Sequence, residues 1–196
     1  MSGLNFIMRQ EDIEEEYLKC IGKIHPNDYF LSLNQKIKTC KLNIEPYEKE
    51  KQLLRLVKQS EPVKIGDRVF LLVQVCNPLP NKKKQKPSGL IFDDLSFLQV
   101  KEILLYDVSS KELFCYEYSY HYGIWDFENE LETYRIRYDR EVILRNPPKK
   151  NIEHLHVFYN DPHFNSPFIN FSEIIDFICV NWDELENKFY IKELAI

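Results

Sequence analysis

The sequence is poor in glycine and contains no closely paired cysteines. Its 196 residues include 5 Gly and 5 Cys, and no two of the cysteines form a Cys-x-x-Cys pair. An odd number of widely spaced cysteines is typical of free thiols in a reducing compartment. The cysteine pattern therefore predicts neither a disulfide framework nor a zinc knuckle.

The sequence also lacks long hydrophobic runs and an excess of positive charge. No apolar run approaches the roughly 18 residues that a membrane-spanning helix needs. The first residues, MSGLNFIMRQEDIEEE, have neither the basic nor the apolar region of a signal peptide. These absences predict a cytoplasmic protein without membrane association. The net charge of −5 argues against binding nucleic acid through overall surface charge, so any phosphate site would be a local patch.

Aromatic residues, in contrast, are abundant, and the hydrophobic pattern differs along the chain. The 13 Phe and 12 Tyr favour a core rich in strands. Apolar residues recur at helical spacing in 10–24 and 47–59, so residues 1–66 are predicted to form a helical N-terminal extension. Residues 67–196 are predicted to form a sheet and a C-terminal helix, with a linker-like loop at 77–89 that carries a run of lysines.

The second part shows the two-residue period of strands. Strands are predicted at 68–76, 100–107, 112–122, 131–139 and 153–159. A helix is predicted from about residue 171, with Asn170 as its N-cap and Glu173 completing a capping box. The predicted fold class is α+β: a small antiparallel β-sheet covered on one face by the C-terminal helix, with the helical N-terminal extension.

Because successive strand residues point to opposite sides, each strand divides into two faces. One face is predicted to pack under the helix and includes Phe114, Tyr116, Tyr118, Tyr120, Tyr122, Glu132, Ile136 and Tyr138. The other face gathers Glu117, Ser119, His121, Arg135, Arg137, Asp139, His154 and His156. Such a polar set is usually the solvated side of a one-sided sheet, and we expect it to be exposed to solvent.

Three of the five histidines share this polar face with two arginines. Histidine transfers protons near neutral pH, and arginine binds phosphate and stabilises charge in a transition state. Cleavage of RNA without a metal needs a base, an acid and a cation at the phosphate, and these residues provide all three. A His-x-His pair on a strand also suits a metal, but no nearby cysteine or carboxylate pair completes a zinc site, so no metal is predicted.

Four segments in this part resemble the TumE-like family of toxins from bacterial type II toxin–antitoxin pairs. They are YSYHY (118–122), RYD (137–139), EHLHVFYND (153–161) and the helix led by FSEIIDFI. The resemblance covers about residues 100–185 and implies a toxin role with a cognate antitoxin as partner. The positions carried over are His121, Arg137, Asp139, His154 and His156.

The sequence therefore predicts a toxin-like module, with metal-independent ribonuclease activity as the hypothesis for its chemistry. His154, His156 and His121 are the predicted catalytic residues, Arg137 and Arg135 the substrate-binding residues, and Asp139 and Tyr120 supporting residues. No cofactor is predicted, RNA is the predicted substrate, and the oligomeric state stays open. The alternatives are a non-catalytic protein–protein interaction module and a degenerate family member without activity. Both gain support because family members often carry further histidines after the aspartate, and RYDREVIL has none.

Overall fold

The computed structural model describes residue 13 and residues 15–39, 53–77, 89–92, 96–126, 128–142, 152–157 and 163–179. These residues form one ten-stranded antiparallel sheet and two helices. The strands are β1 (Lys19–Gly22), β2 (Arg55–Lys58), β3 (Val63–Ile65), β4 (Arg68–Cys76), β5 (Leu90–Ile91), β6 (Ser96–Asp107), β7 (Glu112–Asp126), β8 (Leu131–Arg140), β9 (Glu153–Val157) and β10 (His163–Asn165). The helices are α1 (Pro26–Thr39) and α2 (residues 171–179).

The main path of the sheet runs β10-β9-β8-β7-β6-β4-β2. The three short strands β1, β3 and β5 pair beside this path with β7, β4 and β6 respectively. The four strands predicted from 100 to 159 are therefore central neighbours, in the order of the sequence. The part of the chain described by the structure contains no helix that is long and apolar enough to cross a membrane.

The predicted fold class is wrong, because the structure is mostly one large antiparallel sheet instead of a small sheet with a helical N-terminal extension. In the predicted helix 10–24, Glu15–Tyr17 form a single 3-10 turn and Lys19–Gly22 form β1. The predicted helix 47–59 contains the strand Arg55–Lys58. In both segments, pairing with distant strands outweighs the local helical periodicity.

The helix that does form near the N-terminus begins at Pro26, where the sequence predicted a helix to end. Proline suits the first turn of a helix because its missing N–H has no partner there. The Nδ1 atom of His25 accepts a hydrogen bond from the backbone N–H of Asn27 at 3.2 Å and so caps the first turn. His25 is therefore a structural residue of α1.

Both helices pack on one side of the sheet, called here the helix face. Its core contains Tyr118, Tyr120 and Tyr122 of β7 together with Tyr29, Leu33 and Ile37 of α1 and Phe171, Ile174, Ile175 and Ile178 of α2. Asn170 caps α2 as predicted: its Oδ1 accepts from the N–H of Glu173 at 3.1 Å, and the Glu173 carboxylate accepts from the N–H of Asn170 at 2.7 Å. The C-terminal helix and its contact with this tyrosine stripe are confirmed.

A bulge in β7 divides the predicted aromatic stripe between the two faces. Ile103 pairs with Glu117 and Leu104 with Cys115, so Tyr116 is the extra residue of β7 in this register. Beyond this extra residue the alternation changes phase. Phe114 and Tyr116 consequently pack in a second core on the opposite side of the sheet, with Phe70, Leu72 and Ile103 among others. Placing them with Tyr118 was wrong.

Two further sequence predictions meet the described residues only in part. The linker-like loop at 77–89, with its lysines, lies outside them except at its two ends. The division of the chain between residues 66 and 67 stays a prediction. The expectation of free cysteines holds for Cys20, Cys76 and Cys115 but is wrong for Cys179, which is disulfide-bonded.

Candidate functional site

The side of the sheet opposite the helix face carries two rows of polar residues, and we call it the site face. Directly opposed residues in neighbouring antiparallel strands project to the same side, about 4.5–5.5 Å apart. From β6 to β9, the first row of register positions is Gln99, His121, Arg137 and His156. The second row is Lys101, Ser119, Asp139, His154 and Asn165.

The first row places Arg137 between two of the predicted catalytic histidines. Arg137 pairs with His121 on one side and with His156 on the other. Asp139 pairs with His154 in the adjacent row. These five predicted site residues therefore share one face, as the two-residue alternation predicted, and Arg135 lies on the same face.

The expectation that this face is exposed to solvent is wrong at its centre. Asp139 and His154 are each 3% exposed and His156 is 1% exposed. The Arg137 side chain, in contrast, is 28% exposed. Alternation decides which side of a sheet a residue occupies, and it does not decide whether that side is solvated. Arg137 thus lies at the boundary between a buried histidine–aspartate group and solvent.

The Asp139 carboxylate is the hub of this buried group. Its Oδ2 accepts a hydrogen bond from Nε of Arg137 at 2.6 Å. The same oxygen lies 3.1 Å from Nε2 of His156 and 3.8 Å from Nε2 of His154. The two imidazole rings contact each other with centroids 4.8 Å apart. The guanidinium of Arg137 therefore pairs with a buried carboxylate, and the two imidazoles lie beside that carboxylate.

His156 has a partner for each of its protonation states. Its Nε2 lies 3.1 Å from the Asp139 carboxylate and 3.0 Å from an Nη atom of Arg137. When Nε2 carries a proton it can donate to Asp139, and when it does not it can accept from Arg137. A side chain with this choice can gain or lose a proton without leaving a buried polar atom unpaired, as a general acid or base must.

The three residues Asp139, His154 and His156 also have the composition of a metal site. One potential ligand atom from each lies within 4.8 Å of the others. Two histidines and one carboxylate form a set that binds divalent transition metals. However, Arg137 already contacts Oδ2 of Asp139 and Nε2 of His156. A metal bound through these two atoms would have to displace the guanidinium.

His121 is held by a carboxylate that the sequence assigned to the other face. Nε2 of His121 lies 2.6 Å from Oε1 of Glu132. A bulge in β8 causes the difference, since Ile124 pairs with Tyr134 while Trp125 pairs with Glu132, and Thr133 is the extra residue. The change of phase turns Glu132 to the site face. Gly123, a glycine inside a strand, is the signal in the sequence for such a close approach.

The remaining predicted site residues lie in two places. Arg135 is half-buried on the site face, opposite Gly123 in the register. Tyr120 is on the helix face, where its hydroxyl donates a hydrogen bond to Glu102 at 2.6 Å. The structure therefore does not bring Tyr120 to the histidines.

Glu102 is a buried acid that the sequence analysis did not single out. It is fully buried and accepts hydrogen bonds from Tyr29, Tyr120 and the backbone N–H of Phe171 at the start of α2. Burial raises the pKa of Glu102 to about 7, and the three hydrogen bonds limit the rise. Glu102 therefore joins both helices to β6 and β7 from the side opposite the histidines.

Comparison with known proteins gives one match. A family described as Toxin TumE matches residues 77–189, which include β6 to β10 and both polar rows. No curated protein and no solved structure matches the chain. The matched residues are more than half of the 196 and contain every histidine, arginine and aspartate of the buried group. The chain therefore belongs to the Toxin TumE family.

Proposed function

We propose that this toxin-family chain is an endoribonuclease that cleaves RNA by histidine acid–base chemistry without a metal. The observation that carries the proposal is the position of His156 Nε2, 3.1 Å from the Asp139 carboxylate and 3.0 Å from Arg137. The imidazole of His156, which can transfer a proton, therefore lies next to the guanidinium of Arg137, which can bind a phosphate. His154 packs against His156 and contacts the same carboxylate, so the two histidines form the proposed proton-transfer pair.

Each residue has a defined role in the proposed reaction. A histidine removes the proton of the RNA 2′-hydroxyl, and the 2′-oxygen then forms a bond to the adjacent phosphorus. The bond from phosphorus to the 5′-oxygen breaks, and that oxygen takes a proton from a histidine acid. Arg137, the exposed member of the group, binds the phosphate and stabilises its added charge, with Arg135 as a second cation on the same face. Asp139 orients His156 and Arg137.

The experiment compares the purified chain with its His156→Gln variant on a synthetic RNA and on the matching DNA. We expect RNA cleavage to a 2′,3′-cyclic phosphate, no cleavage of DNA, and a loss of about 10²-fold or more in the variant. His25→Gln is the matched control, because His25 caps α1 on the helix side. Absence of cleavage by the clean wild-type chain overturns the proposal in favour of a non-catalytic interaction module or a degenerate member.

A second candidate is metal-assisted cleavage, and the proximity of the Asp139, His154 and His156 ligand atoms favours it. Under the leading proposal, EDTA leaves the activity unchanged, since Arg137 supplies the positive charge. Loss of activity in EDTA with recovery in Zn²⁺ or Mn²⁺ would establish the metal mechanism instead.

The family also supports a cognate antitoxin as the protein partner. We expect induced expression of the wild-type chain to arrest bacterial growth and degrade cellular RNA. We further expect co-expression of the reading frame beside its gene to relieve the arrest. Growth arrest with intact RNA would retain the toxin role and contradict the ribonuclease.

A further inference from the structure

We infer that Glu132 and His121 form a second carboxylate–imidazole pair of the site, which acts across Arg137 from His156. This inference rests on the proposed ribonuclease function and changes the assignment within it. His121 carries out one of the two proton transfers, and Glu132 positions the His121 ring. His154 contacts the Asp139 carboxylate and helps to position it.

The ring of His121 is fixed on two sides. Its Nε2 lies 2.6 Å from Oε1 of Glu132, and the two side chains are 17% and 14% exposed. The edge of the ring packs against Phe97, with centroids 5.2 Å apart at 73°. A carboxylate bound at one imidazole nitrogen fixes the tautomer and leaves the other nitrogen for proton exchange. The contact therefore prepares Nδ1 of His121 to exchange a proton with a substrate.

Two features of the chain are needed for this contact. The extra residue at Thr133 turns Glu132 to the site face. Gly123 provides the space, since a Cβ atom built there would lie 2.2 Å from Oε1 of Glu132 and 2.8 Å from Cζ of Phe97. Any other residue at position 123 would push the carboxylate away from His121. A glycine weakens a strand interior, so its presence at this position is explained by the contact it permits.

The register places the two pairs symmetrically about the cation. His121, Arg137 and His156 are consecutive members of one row, and each histidine contacts its own carboxylate. Cleavage at phosphorus needs a base at the attacking oxygen and an acid at the leaving oxygen on the opposite side. A phosphate on Arg137 would have one histidine on each side. His154, in contrast, lies in the next row, where Asp139 is its register partner.

The charged groups around His121 in the register are Glu132, Arg135, Arg137 and Asp139 of β8 and Lys101 of β6. Strand β6 also presents Phe97 and Gln99. Replacing Glu132 by glutamine keeps the shape of the side chain and removes its negative charge. Because that carboxylate is the hydrogen-bond partner of the His121 ring, we expect its loss to change the pH–rate profile of cleavage. A role of Glu132 in folding alone would not move the profile.

The test measures cleavage of the synthetic RNA from pH 5 to 9 by the wild-type chain, Glu132→Gln and the control Glu128→Gln in the exposed turn. We expect Glu132→Gln to lower kcat about 10–100-fold with a changed pH–rate profile and an unchanged melting temperature. We also expect it to have no further effect in a His121→Ala background, because the two residues act as one unit.

Gly123→Ala is a second route to the same result, since it displaces the carboxylate without changing its charge. We expect it to lower kcat as Glu132→Gln does. If the wild-type chain cleaves RNA and Glu132→Gln has the same rate and the same pH–rate profile, this inference is overturned and the proposed function stands. Absence of any cleavage by the wild-type chain overturns the proposed function together with it.

Discussion

The hydroxyl of Tyr120 donates a hydrogen bond of 2.6 Å to the carboxyl of Glu102 in the fully buried core beneath α1 and α2. The two residues lie on the opposite side of the sheet from the histidines. Burial raises the pKa of Glu102 from 4.5 to about 7, so this buried carboxyl makes the stability of the fold depend on pH, and the hydrogen bond from Tyr120 limits the effect.

The first prediction concerns Glu102→Gln. Below about pH 4.5 the folded and unfolded chains are both protonated at Glu102. Between pH 4.5 and 7 the unfolded chain releases a proton that the folded chain keeps, so rising pH lowers the free energy of unfolding. We expect the free energy of unfolding of Glu102→Gln to rise relative to that of wild type by about 3 kcal/mol across this window. Above pH 7 the difference should stay constant. Urea unfolding at several pH values measures it, with Glu128→Gln as control. A difference that does not vary with pH would contradict the raised pKa.

The second prediction concerns the stability cost of His154→Ala. His154 is 3% exposed, so its removal leaves a cavity and takes a partner from the buried Asp139 carboxylate. We expect the free energy of unfolding to fall by about 1–3 kcal/mol. Glu128→Ala, at an exposed residue of the turn after β7, is the comparison. Equal stability of His154→Ala and wild type would indicate that His154 is solvated in solution.

The third prediction concerns Arg137→Lys. The arginine contacts Asp139 through Nε and His156 through an Nη atom, and a lysine ammonium cannot reproduce both contacts. We expect cleavage to fall about 10²-fold while the melting temperature changes little, because the charge is kept. Arg55→Lys, on the edge strand β2, is the matched control and should keep full activity. Full activity in Arg137→Lys would show that a point charge is sufficient at the phosphate.

The fourth prediction concerns the N-cap of α2. Asn170→Ala removes the side-chain acceptor for the N–H of Glu173 and should lower the free energy of unfolding by about 1 kcal/mol. Glu173→Gln keeps a capping box and should cost less. Thermal unfolding of both variants checks this order. The reverse order would show that the charge of Glu173 matters more than the hydrogen bond from Asn170.

The sequence predicted the common face of the candidate residues better than it predicted the class of fold. His121, Arg137, Asp139, His154 and His156 follow regular two-residue alternation in paired strands, and their common face could be predicted for that reason. The N-terminal strands could not be predicted in the same way. Residues 19–22 pair with β7, more than 90 positions away in the sequence, and no local pattern reveals such a partner.

The two bulges explain the other differences. At Tyr116 and at Thr133 one strand has an extra residue, and every assignment beyond that residue changes face. Phe114 and Glu132 were assigned to the wrong side for this reason. Neither extra residue is itself a glycine or proline, and only the β8 bulge has a glycine close by, Gly123 in the paired strand. The burial of His154 and His156 was missed because alternation contains no information on what covers a face.

The extra residue at Thr133 also makes the chemistry of the site depend on the length of β8. Its hydroxyl donates a 3.4 Å hydrogen bond to the carbonyl of Ile124, which closes the bulge. Deleting Thr133 would restore regular alternation and turn the Glu132 carboxylate away from His121. Every histidine and arginine of the site would remain in the sequence. A small insertion or deletion inside a strand is therefore an evolutionary route by which a relative of this chain can gain or lose the second acid–base pair.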